Sequence, residues 1–97
     1  LSAHPKLREV RLRRFHSNRL ELTEELTVFL EERDGEHIAS SQDTGQYGHG
    51  YSPDDAIQSL CSVLEDYYEL LQEDEDHLSP PLAEHLRFLR SVLTFPA

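Results

Sequence analysis

The chain contains no methionine and a single cysteine, Cys61, in 97 residues. Without methionine, residue 1 is not expected to be a native start. One cysteine excludes an intrachain disulfide and suits a reducing compartment, so a cytoplasmic protein is expected. No apolar run approaches the roughly 18 residues of a membrane span. The N-terminus lacks the apolar stretch of a secretory leader. Basic residues are also scarce: nine Lys and Arg stand against nineteen Asp and Glu, for a net charge of −10. An acidic body repels phosphate, which argues against nucleic acid lying along it. The hydrophobic share of 37 % and mean hydropathy of −0.60 allow a modest core, and the length fits one domain, residues 1–97.

The charge is uneven. Residues 1–19 carry Lys6, Arg8, Arg11, Arg13, Arg14 and Arg19 against Glu9 alone, a local balance of +5, and the remainder carries −15. The basic segment is expected either to lie beside the acidic body or to touch an acidic partner.

Alternation of apolar and polar residues marks strands. Glu9–Phe15, with Val10 and Leu12 on one face, and the run through Leu20 and Leu22 are read as a basic N-terminal hairpin within residues 1–24. Leu26–Arg33 alternates more strongly, with Thr27 and Phe29 on the second face. Asp34-Gly35 follows, a pair suited to a type I′ turn. Glu36–Ser41 is the expected return strand, with Ile38 pointing inward. Asp43-Thr44-Gly45 makes a second turn. Gln46–Tyr51 is then a strand with aromatics on one face and Gly48 and Gly50 on the other, where a helix can come close.

That helix is expected from Pro53 to Gln72. Ser52 suits the N-cap, Pro53 the first helical position, and Asp54 and Asp55 the first turn. Ala56, Ile57, Leu60, Cys61, Leu64, Tyr67, Tyr68 and Leu71 recur at helical spacing. Adjacent Tyr67 and Tyr68 point about 100° apart, placing one in the core and one at its rim. The acidic run Glu73–Asp76 opposes the helix dipole and is expected to end the helix. A second helix follows over 79–93, capped by Ser79, with Leu82, Leu86, Leu89 and Leu93 as its stripe. Strands first and helices after imply an α+β fold: a small antiparallel meander, one long helix packed on it, and a C-terminal helix.

The residues offer little catalytic chemistry. Six histidines show no H-E-x-x-H spacing; His37 and His49 could face each other on neighbouring strands, but no third and fourth ligand is identified and surface histidines are the better reading. The glycines make no phosphate loop, since no Walker lysine follows and two aspartates open the helix. No cofactor or metal is expected. Cys61 is read as a buried, inert thiol.

From Leu26 to about residue 72 the chain resembles the HicB-like antitoxin domain. That family has a three-stranded meander, a glycine and a capped helix in the pattern G-D-T-x-x-E-A. Here the pattern reads Gly50-Tyr51-Ser52-Pro53-Asp54-Asp55-Ala56, with Tyr51 in place of the family's Asp. The resemblance implies a partial RNase H-like fold and a non-enzymatic partner-binding role, in which the domain covers a small RNA-cleaving toxin. No DNA-binding module is read after the core, so a stand-alone domain is expected. Glu65, Asp66, Glu69 and Glu73 are the expected partner-binding residues, their carboxylates imitating phosphate toward a small basic toxin. The rival expectation is a metal-dependent nuclease-like enzyme holding its ion with Asp34 and Asp43. A third is a structural homo-oligomer. A homodimer is expected from the unpaired edge of a short meander.

Overall fold

The computed structural model describes residues 6–96. Its strongest hairpin forms at Asp34-Gly35, whose backbones adopt φ of 51° and 81°. Two consecutive positive φ values are what a type I′ turn demands. The turn joins β3 (Leu26–Arg33) to β4 (Glu36–Ser40), with Leu30 opposite Ala39 and Glu32 opposite His37. A turn ending at Gly45, φ 73°, leads into β5 (Tyr47–Gly50). Before them run β1 (Lys6–Leu12) and the two-residue β2 (Glu21–Leu22). The main sheet is antiparallel in the order β1-β3-β4-β5.

The N-terminal hairpin expected within residues 1–24 does not form. β1 lies alongside β3, with Val10 opposite Val28 and Leu12 opposite Leu26. β2 pairs instead with β6 (Leu93–Thr94), near the C-terminus. Val10 and Leu12 find better apolar partners on β3 than the thin segment around Leu20 offers. Phe15 and Leu20 are freed to enter the core, where both are buried. Residues 1–5 of the expected hairpin lie outside the described residues.

Helix α1 (Pro53–Glu73) starts as its sequence demands. Ser52 is extended, and its hydroxyl accepts the Asp55 N–H at 3.0 Å. The helix crosses β4 and β5 and buries Ala56, Ile57, Leu60, Cys61, Leu64, Tyr68 and Leu71. Gly48 and Gly50 are its seat. A Cβ on Gly50 would meet the Asp55 side chain at 2.5 Å. The inward residue of β4 is accordingly small: Ala39, opposite Gly48, is fully buried, whereas Ile38 sits half-buried on the other face. This corrects the inward placement of Ile38, because a branched side chain does not fit under so close a helix.

Helix α1 stops at Glu73, and one turn of 3₁₀ helix (Glu75–His77) follows. Helix α2 (Pro80–Val92) buries Leu86, Leu89 and Val92. Leu82, expected in the stripe, is 36 % exposed at the first turn. Ser79 stands at the N-cap but makes no side-chain capping bond. Leu93 leaves the helix to join β6. The chain is thus an α+β fold: a four-stranded antiparallel sheet, a long helix on one face and a C-terminal helix beside it. No described helix is long and apolar enough to cross a membrane.

Candidate functional site

The four carboxylates expected to bind a partner do lie along α1, but in two different settings. Glu65 and Glu69, one turn apart, are half-buried beneath the His16–Arg19 loop. The Ser17 hydroxyl donates to Glu65 and also accepts the N–H groups of Arg19 and Leu20, each at 3.0 Å. Arg19 bonds Glu69 and lies 3.5 Å from Glu65. The hydrogen bond to Glu69 is the main reason the Arg19 guanidinium is held above its ordinary value. Part of the basic N-terminal segment therefore answers the acidic helix from within the chain.

Asp66 and Glu73 are exposed instead. They are two turns apart on the helix, about 10 Å along its axis. Asp74 and Asp76 extend the same charge past the helix end. Among the described residues no cation lies within bonding reach of these four. No basic residue occupies the last turn of α1, so its carbonyl dipole end adds to the negative field. Glu75 alone in the run is neutralised: Arg90 of α2 donates to it twice, at 2.7 and 2.8 Å. Those bonds hold the Glu75 carboxyl below the usual carboxylate range. No local signal marks Arg19 and Arg90 for these partners; only the excess of positive charge before residue 20 points to an internal answer.

His37 and His49 stand on neighbouring strands but do not face each other. His37 lies opposite Gly50, and His49 opposite Ile38, so the two rings stand on opposite faces of the sheet. His49 Nδ1 is 2.8 Å from Glu36. Asp34 and Asp43 stand at opposite ends of β4 and do not converge on one ion. Among the described residues no group of three His, Cys, Asp or Glu side chains is placed to hold a metal. Cys61 is fully buried, and burial pushes its thiol up. Tyr68 is core and Tyr67 is rim, with the Tyr67 hydroxyl hydrogen-bonded to His85 Nδ1 of α2 at 2.6 Å.

Two further surfaces were missed by the sequence reading. The sheet face away from α1 carries one large apolar residue from each strand: Leu7, Phe29, Ile38 and Tyr47. Leu7 and Tyr47 are each 62 % exposed. The second-face position of Phe29 was legible, but not the band it completes. The other surface is a groove of about 460 Å³ beside the start of α1, walled by Arg8, Leu30, Glu32, His37 and Pro53.

Fold and surface together define a small α+β domain with one covered sheet face, one open face and an acidic helix end. No protein-family model, curated protein or solved structure matches the chain. The likeness to HicB-like domains accordingly rests on the chain's own residues, above all Gly50–Ala56.

Proposed function

We propose that this chain is a non-enzymatic protein–protein interaction module of antitoxin-like kind, acting in the cytoplasm. Its acidic α1 surface docks on a small basic partner, such as an RNA-cleaving toxin, and masks it. The observation that carries this reading is the division of the helix carboxylates. Glu65 and Glu69 are occupied by Ser17 and Arg19, while Asp66, Glu73, Asp74 and Asp76 project without a cation among the described residues. Uncompensated carboxylates spaced along the helix and past its end imitate a phosphate backbone and steer a basic surface toward them. Asp66 and Glu73 are the proposed contact residues; Glu65 and Glu69 hold the N-terminal loop.

An RNA-protection assay tests the proposal. The chain alone, with Mg²⁺ or Mn²⁺, is expected to leave RNA and DNA intact. Co-expressed with a small basic RNA-cleaving protein encoded beside it, the chain is expected to suppress that cleavage. The double variant Asp66→Lys/Glu73→Lys is expected to lose the suppression. Metal-dependent cleavage by the chain itself, abolished by Asp34→Ala, would favour the nuclease-like reading. A second reading, a homo-oligomeric building block, is favoured by the open apolar sheet face.

A further inference from the structure

The outer edge of β1 has no partner among the described elements, since β3 pairs with the inner edge only. An open strand edge invites a further strand unless a proline, a bulge, a cover or unmatched charge blocks it. β1 contains no proline and pairs with β3 in unbroken register, so the charges of Arg8, Glu9 and Arg11 are what a partner strand must match. The opposite edge, β5, is four residues long and half glycine.

The order Leu7-Arg8-Glu9-Val10-Arg11-Leu12 decides what fits there. A second copy of β1, related by a twofold axis perpendicular to the sheet, pairs antiparallel and places one residue opposite itself. Registers centred on Arg8, Glu9 or Arg11 set like charges face to face. Centring on Leu7 puts residue 6, a lysine, opposite Arg8, and centring on Leu12 overlaps the two strands at Leu12 alone. Like charges directly opposite destabilise a strand pair. Centring on Val10 overlaps Arg8–Leu12 of both copies and sets no like charges opposite within that stretch. Val10 meets Val10, Glu9 meets Arg11 twice, and Arg8 meets Leu12 twice.

We infer that a second copy of this chain adds to the β1 edge with Val10 on the twofold axis, making one continuous eight-stranded sheet from two four-stranded ones. Glu9 and Arg11 are exposed and lie on the open face, where the two copies form a checkerboard of alternating charge. Val10 and Leu12 are half-buried on the helix side, and the partner strand covers their remaining surface. An acidic extended peptide would answer Arg8 and Arg11, but it would oppose Glu9 and leave Val10 and Leu12 without apolar contact. A second β1 sets Glu9 against Arg11 and Val10 against Val10, and lays the aliphatic stem of Arg8 over Leu12.

The test is analytical ultracentrifugation of the full chain from low to high micromolar concentration. A monomer–dimer equilibrium is expected. Glu9→Arg and Arg11→Glu should each weaken the dimer by about tenfold or more, since each puts like charges opposite at two symmetric places. The double variant Glu9→Arg/Arg11→Glu should restore wild-type association. Both side chains are exposed, and circular dichroism checks that each variant folds. Val10→Cys gives an independent readout: an intermolecular disulfide is expected, without competition from the buried Cys61. A chain that stays monomeric at high micromolar concentration overturns the inference. So does a dimer that neither single reversal weakens, or a double variant that fails to recover.

Discussion

Gly48 and Leu60 touch backbone to backbone: a Cβ on Gly48 would fall 2.3 Å from the Leu60 amide nitrogen. The neighbouring atoms belong to the helix main chain, so no side-chain rotation relieves the overlap. Gly48→Ala must push α1 off the sheet. It is expected to cost about 1–3 kcal/mol or more, as overpacked cores do. Tyr47→Ala, next in sequence but on the open face, should cost well under half as much. Urea denaturation of the two variants checks this, and equal losses would contradict the helix seat.

Leu64 is fully buried under α1 and Asp66 is exposed two positions on. Leu64→Ala should lose about 2–5 kcal/mol, and Asp66→Ala should stay within about 0.5 kcal/mol. Glu65→Ala is expected between them, near 1 kcal/mol, because it strands the Ser17 hydroxyl and loosens Arg19. Thermal or chemical melts that rank these three differently would contradict the helix phase.

The Glu75–Arg90 pair gives a pH signature. Arg90 holds the Glu75 carboxyl below its ordinary range. A depressed folded-state value contributes stability above the unfolded-state value, and that contribution is lost as pH falls through the folded-state value. The gap in urea midpoint between wild type and Arg90→Gln should be present at neutral pH and shrink in acid. Salt should shrink it too, since both groups are exposed. A gap that widens in acid would contradict the pairing.

Cys61 offers a probe of the covered face. Its side chain is fully buried, and its thiol is pushed up by desolvation. The thiolate is the reactive species, so native protein should react with a thiol reagent orders of magnitude more slowly than unfolded protein. Rapid labelling under native conditions would show that α1 is not seated as described.

Much of this fold was legible in the residues. Asp34-Gly35 dictates its own turn, and Ser52-Pro53 its own helix start, because both signals act over four residues or fewer. Gly48 and Gly50 announced a close approach before the helix was seen there. What failed was pairing at a distance. Nothing local in Leu20-Glu21-Leu22 says that its partner is Leu93-Thr94 at the other end of the chain. Alternation points Ile38 inward but does not say which face is tight; the height of α1 above the sheet decides it, and Ala39 is the buried residue. At the candidate site, helix phase placed Glu65, Asp66, Glu69 and Glu73 along α1. That Arg19 would claim two of them depends on a loop some fifty residues earlier coming to rest on the helix.

In the proposed function the free carboxylates of α1 steer a basic partner onto this chain. The association rate with such a partner, measured by stopped flow across ionic strength, tests it most directly. The rate is expected to fall steeply with salt, and Asp66→Lys/Glu73→Lys to slow it about tenfold at low salt with little change in dissociation. An association rate indifferent to both salt and the double variant would contradict it.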